Sequence, residues 1–422
     1  MASLSLIKLC PFVISEGDPI CMVPRSAEPI AGLPVLYFRD GRMWEEASAY
    51  LADWAMRIVE DDPGNDLQSV KSSAWQLRAY LEFCEENGLA PMEFGRRRSE
   101  KPTFLFRGRL LQQRKGIAVG VDGSPLKRLA PSTVANRIGA VARFFVSAID
   151  EGVIPFTNPP CTIKHVNVQV RTVHGTSRTK QVRTTDLAIR YRAAERNTVE
   201  GGLKPVNLAM RDEIIAEARK RCSIEFALML ELGFLGGPRI QTVCDLKCNS
   251  LAKARPREEG RLCVIPVGPK HDVATKFGVD YEVQVPSLLL DELRNYSEST
   301  RRLLRSAKAM PVNRDLLFLN RNGDRYNRRG ADESTSIAQD MSRFRKAVRE
   351  SLDLSSFYFH CSRATFGTSI VYAGLKAGIS IDRILNRLKT LMGHKDSKTS
   401  LGYVQFVENE ETNARIDAEL YG

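Results

Sequence analysis

His394 follows Gly393, and Tyr403 stands nine residues beyond it, in the stretch LMGHKDSKTSLGYVQF at 391–406. An imidazole can donate or pass a proton near neutral pH, and a phenol can attack an electrophile. The phenol needs help, because with an ordinary pKa of about 10 it stays protonated at pH 7. It becomes a useful nucleophile where cations support its charge and neutralise the group under attack. Such groups lie upstream. His360 and Arg363, in HCSR, are three residues apart and share a helix face, so they can hold one anion together. Arg239 follows Gly236-Gly237-Pro238 at the mouth of a helix carrying Ile240, Val243 and Leu246, and a helix start favours an anion. Lys270 and Lys276 lie in the long turn before DYEVQVP. Singly, these residues read as a turn arginine, a salt-bridged helix start, a solvated loop and a packing tyrosine.

The elements that must position them follow from periodicity. Residues 1–42 hold Pro and short apolar runs such as PVLYF, and read as strands or an extended N-terminal arm. Residues 43–160 turn helical: Trp44, Ala47, Tyr50, Leu51 and Trp54 keep helical spacing, as do Leu77, Tyr80, Leu81 and Cys84, with Asn87-Gly88 as a stop. Another helix carries Val134, Ile138, Val141 and Phe145. Residues 161–204 read as a basic, weakly structured linker. From 205 to 422 a second domain begins with the buried helical run SIEFALMLELGF, then RLCVIPV and DYEVQVP as a hairpin, then helical patterns at 287–307, 332–350, 360–374 and 378–392. The expected fold is mainly α with a small antiparallel β-sheet.

The chain has 422 residues, 62 Lys and Arg against 50 Asp and Glu, and a formal charge of +12. The excess is clustered. Residues 96–115 hold eight basic side chains against Glu100, and Lys164, Arg171, Arg178, Lys180, Arg183, Arg190 and Arg192 face only Asp186. Clustered charge of this sign suits the phosphates of nucleic acid, whose neutralisation releases counterions. The nine cysteines show neither paired spacing nor a metal set, which fits a reducing compartment. No apolar run is long enough for a membrane span, and no basic segment precedes the N-terminal apolar stretch.

In order, Arg239, Lys276, His360-x-x-Arg363, Gly393-His394 and Tyr403 resemble the catalytic pattern of the tyrosine recombinases, the phage-integrase family. RIQTVCDLK is similar to that family's first arginine box, TKFGVDYEVQVP to its lysine hairpin, and LMGHKDSKTSLGYVQF to its histidine-to-tyrosine segment. The resemblance spans about 205–410, and the helical module is similar to the family's core-binding domain. It implies a helical core-binding domain joined to a mixed α/β catalytic domain. It also implies Arg239 and Arg363 on a scissile DNA phosphate, His360 and His394 as hydrogen-bond donors, Lys276 (or Lys270) as acid to the leaving oxygen, and Tyr403 as nucleophile. Further implications are no metal or other cofactor, double-stranded DNA as substrate, a homo-tetramer on DNA with accessory proteins left open, and a cytoplasmic, nucleoid-associated enzyme of a mobile element. The departures are Thr242, where the family often has an acid, Cys361 inside HCSR, Ala364 where a second His is common, and a longer lysine turn. The competing class is an architectural DNA-binding subunit of a recombinase complex, with little catalysis of its own. The late position of Tyr403 suggests a semi-detached helix, with a tail (VENEETNARIDAELYG) suited to docking on a neighbouring subunit or on its own domain.

Overall fold

Apolar residues at helical spacing dictate most of what is seen. A computed structural model of the chain describes residues 2–421 except 11, 15–21, 25–28, 62–66, 156, 172–176, 190–197, 201, 258–259, 332 and 395–396. It forms two units, Met1–Ala193 and Ala194–Gly422.

In the first unit, β1 (Ser3–Leu9) pairs antiparallel with β4 (Ile30–Tyr37), and β2 (Phe12–Ile14) with β3 (Met22–Pro24). Four helices follow: α1 (Glu45–Asp61), α2 (Gln68–Glu86), α3 (Pro102–Lys115) and α4 (Pro131–Asp150). Most of the anticipated stripe residues are buried, with Leu51, Leu77, Leu81, Val134 and Val141 fully covered and Tyr50 and Trp54 half-buried. Trp44 meets Phe144 edge-on at 5.4 Å and Tyr80 at 6.1 Å, tying α2 and α4 to the start of α1. Asn87 caps α2 where the sequence places a stop.

The stretch expected as a weakly structured linker is different. β5 (Ile163–Arg171) and β6 (Ser177–Thr185) pair in register from Ile163↔Thr185 to Arg171↔Ser177, within the first unit. IKHVNVQVR alternates valines with polar residues, a strand period that the density of basic residues hides. Arg183 pairs with Asp150 at 2.7 Å.

The second unit opens with α5 (Leu208–Arg221), capped by Asn207, and α6 (Ile224–Gly236), capped by Ser223. Apolar all round, α6 lies in the middle of the unit. It ends at Gly237, whose φ of +67° and contact with the Phe366 ring leave no space for a side chain. Next come α7 (Ile240–Asp245), α8 (Cys248–Ala252) and the antiparallel strands β7 (Arg255–Pro256), β8 (Leu262–Val267) and β9 (Tyr281–Pro286). The expected helix at 287–307 is two, α9 (Ser287–Glu298) and α10 (Thr300–Lys308), because Ser299 turns extended and caps the second. Then follow α11 (Thr335–Val348), α12 (Phe359–Lys376), α13 (Ile381–Met392) and α14 (Ser397–Tyr421). Phe226, Leu230, Ile265, Val285, Phe318 and Phe344 anchor its main core, and a second cluster forms where α12, α13 and α14 meet. The fold is mainly α with small antiparallel sheets. No described helix is long and apolar enough to cross a membrane.

Candidate anion site and its tyrosine

Arg363 sits on the first turns of α12 and is 1% exposed. A buried guanidinium must have its donors satisfied. One terminal nitrogen donates to the Gly237 carbonyl at 2.5 Å, and the other to the Met392 carbonyl at 2.9 Å. Both carbonyls belong to helix ends, where acceptors lack intrahelical partners and the dipole is negative. Arg363 therefore fastens the ends of α6 and α13 to α12 and still turns one edge, Nε and a terminal nitrogen, inward.

That edge faces the carboxylate of Glu200, 3.3–3.4 Å away. His394 Nε2 lies 2.8 Å from the same carboxylate, and His360 Nε2 lies 3.9 Å from its second oxygen. Burial works against a charge on Glu200, but Arg363, the His394 hydrogen bond and Arg239 overcome it and hold the carboxyl far below the usual range. For Arg239, at the start of α7, burial and then the like charge of Arg363 lower the pKa. On Arg363 burial also disfavours the charge, yet Glu200 wins and raises it. Arg239, His360, Arg363 and His394, spread over 156 positions of the chain, thus act on one point of negative charge.

His394 is 3% exposed, and burial, with the charges of Arg363 and Arg239, lowers its pKa against the pull of Glu200, so the ring is neutral near pH 7. A neutral ring carries one proton. An ionised carboxylate only accepts, so Nε2–H donates to Glu200, and Nδ1 accepts from the buried Ser400 hydroxyl at 2.9 Å. Ser400 fixes the tautomer that points a donor into the pocket. His360 is one-third exposed on its side chain and forms the rim.

Tyr403 is 0% exposed, its ring stacked on His394 at 5.9 Å and 27°. It packs with Ala364, Val371, Leu388, Met392 and Val407, so α14 is docked on α12 and α13 of its own unit rather than semi-detached. The helical period of Tyr403, Val404 and Val407 supplies the apolar stripe that docks it. Of the tail, the side chains beyond Thr412 lie outside the described residues, and so does the expectation that they dock on a neighbouring subunit. The Tyr403 hydroxyl is buried close to the Glu200 carboxylate, and among the described residues it meets no partner at full hydrogen-bonding geometry. Burial first, then the Glu200 charge, push its pKa well above the usual phenol value. The ring fits because α12 has Gly367 beneath it: a Cβ there would stand 2.3 Å from Tyr403 Cε1. Gly367→Ala is therefore expected to lower stability by about 1–3 kcal/mol and displace the ring. Thermal melting and the reactivity of the phenol toward DNA would read both effects, and an unchanged protein would show that the fit is loose.

Lys276 lines a cavity of about 670 Å³ with Arg239, His360, Ser334, Met341 and Tyr358. Lys270 is 81% exposed on its side chain and lies 3.8 Å from Asp280. The loop that carries Lys276 is held from α7: Asp245 accepts from Ala274 N–H at 2.7 Å, and Thr242 donates to Ala274 O at 3.1 Å. Thr242, where an acid is common in the resembling family, supports the lysine loop. Cys361 is buried and accepts from Tyr358 N–H at 3.5 Å, a helix-start contact.

The six sequence candidates thus lie in one unit. Arg239, His360, Arg363, His394 and Tyr403 surround the Glu200 carboxylate, and Lys276 shares the adjoining cavity with Arg239 and His360. Sequence reasoning missed three residues. Glu200 sits in a stretch assigned to the linker, with no pattern to mark it. Ser400 was visible only as one hydroxyl of KDSKTS. Tyr281, on β9, has a buried hydroxyl that meets no hydrogen-bond geometry among the described residues; burial raises its pKa, while Arg363, the nearby Thr242 hydroxyl and Arg239 pull the other way. The alternation of DYEVQVP identifies it as a strand residue and says nothing more.

No protein-family model matches this sequence, and no curated protein matches it. Solved structures do. Integrases solved with DNA are among the similar ones. The integrase of transposon Tn1549, solved with circular intermediate DNA, is 15% identical, with 84% of this chain and 94% of that chain covered at a TM-score of 0.47. A lambda integrase dimer bound to a COC' core site gives the same figures: 15% identity, 84% and 94% coverage, TM-score 0.47. A lambda integrase tetramer on a Holliday junction is 14% identical, with 88% and 92% covered at a TM-score of 0.38.

Proposed function

We propose that this chain is a tyrosine recombinase, which cleaves and rejoins DNA for the integration, excision or resolution of a mobile element. The observation that carries the reading is the convergence of two arginines and two histidines on one anionic oxygen pair, beside the buried phenol of Tyr403. A phosphodiester presents such a pair of oxygens. Arg239 and Arg363 hold its two non-bridging oxygens and offset the charge added in the five-coordinate transition state. His394, in its neutral tautomer, donates through Nε2–H, and His360 donates from the rim and assists proton movement. Tyr403 attacks phosphorus as its phenolic proton passes to His360, and the bond to the 5′ oxygen breaks as Lys276 gives that oxygen a proton. A 3′-phosphotyrosyl link and a free 5′ hydroxyl result. A second strand's 5′ hydroxyl then attacks the link and releases the phenol, so one phosphoester bond replaces another without external energy. The basic hairpin β5–β6 and the 96–115 cluster supply phosphate contacts along the duplex, and exchange between two duplexes uses a homo-tetramer.

A nicked duplex taken from the DNA flanking the gene, from which the cut strand diffuses away, is expected to trap a protein–DNA adduct stable to denaturant. Binding without any adduct would favour an architectural subunit. The lysine has its own test. Lys276→Ala is expected to slow cleavage by about 100-fold or more. Replacing the 5′ bridging oxygen by sulfur, which leaves without protonation, should restore most of the rate, and Lys270→Ala should need no such rescue. The reverse pattern would move the role to Lys270.

A further inference from the structure

Glu200 is the tip of a short loop closed by two backbone hydrogen bonds, Val199 N–H to Leu203 O at 2.9 Å and Leu203 N–H to Val199 O at 2.8 Å. Val199 is buried in the same cluster as Tyr403, so the loop is seated on the site floor. Glu200 itself has a φ of +41°, a left-handed conformation that a residue with a Cβ adopts at a cost. The strained residue is the one whose carboxylate faces the two arginines and two histidines.

The inward donors of Arg363 and His394 leave no place for a second anion. Of the Arg363 hydrogens, one goes to Gly237 and one to Met392, and the inward edge is taken by Glu200. The single proton of His394 is taken by Glu200 as well. A phosphate needs that edge and that proton, and it carries the same sign of charge as the carboxylate. We propose that Glu200 is a removable stand-in for the DNA phosphate, an autoinhibitory plug that fills the catalytic pocket until the scissile phosphate displaces it. The proposal rests on the recombinase reading for the identity of the anion, though not for the plug itself. The loop lies six residues beyond the boundary between the two units, at 193/194. A carboxylate held there keeps the phenol from phosphates that do not displace it.

Tungstate, a tetrahedral oxyanion, serves as probe with the full-length protein. Wild type, Glu200→Gln and Glu200→Ala are compared by tungstate-dependent thermal shift, and by single-turnover cleavage of the nicked duplex at saturating protein. Both variants are expected to bind tungstate at least about 10-fold more tightly than wild type, and to form adduct at least about 5-fold faster, since the competent state is no longer masked. Equal tungstate affinity in all three proteins overturns the plug. So does slower cleavage by both variants, which would make Glu200 a working member of the site. Tighter tungstate binding without adduct from any of the proteins upholds the plug and fails the recombinase reading. Adduct from wild type with unchanged tungstate affinity does the opposite.

Discussion

Tyr403→Phe protein is expected to bind its DNA within about 2-fold of wild type and to form no covalent adduct. The hydroxyl makes no hydrogen bond that the fold would miss. Phenylalanine keeps the ring that stacks on His394 and rests over Gly367, so deleting the oxygen removes a buried polar atom and leaves the packing intact. A buried, unpaired hydroxyl is unfavourable, so the variant should be as stable as wild type or slightly more so. Loss of chemistry with gain of stability marks a group kept for reaction. Tyr281→Phe is the control, because that phenol is also buried and influenced by Arg239 and Arg363. It should retain adduct formation. Equal losses from both variants would mean that the two phenols act only through the shape of the pocket.

Arg363→Ala is expected to lose cleavage by about 1,000-fold or more, since a single neutral donor to a developing oxyanion is worth about 100- to 1,000-fold and Arg363 adds a charge. It should also lose stability, by about 3 kcal/mol or more, because a buried pair is broken and two helix-end carbonyls lose their donor. Those two effects must be separated. Arg363→Lys keeps the charge but has no planar fork, so it cannot reach both carbonyls and the pocket at once. It should melt closer to wild type yet cleave at least about 10-fold more slowly. Cleavage at the wild-type rate by the lysine variant would show that only charge matters there. Single-turnover rates at saturating protein, set beside melting temperatures, decide between these outcomes.

Much of this site can be read from the chain because its residues sit at element starts and ends that leave marks. Arg239 follows a Gly-Gly-Pro break, His360 and Arg363 share the first turns of one helix, and Gly393 ends another just before His394. The helices of the first unit are legible for the same reason: Trp44, Leu51, Leu77 and Val141 repeat at a period that only one structure satisfies. What could not be read depends on long-range closure or on signals of similar strength. β5 alternates valines with polar residues, but β6 (SRTKQVRTT) has Val182 alone, and a run of Lys and Arg carries the same mark whether it lies in a coil or a strand. Ser299 splits one helical period into two helices because a serine can cap as well as continue a helix. Glu200 has no local signature: its meaning comes from four side chains between 39 and 194 residues away. The docking of Tyr403 is hidden in the sequence for a related reason. Position near the end of a chain suggests freedom, whereas Val404, Val407 and the space over Gly367 hold the helix in place.

The most direct test is to isolate the denaturant-stable adduct, digest protein and DNA, and identify the linked residue by mass spectrometry. The expected product is the peptide containing Tyr403 joined to the 3′ phosphate of the cleaved strand, with a free 5′ hydroxyl on the departing end. Linkage through Tyr281 or any other side chain, or a 5′ attachment, would contradict the assignment of a phosphate to the pocket that Arg239, His360, Arg363 and His394 enclose.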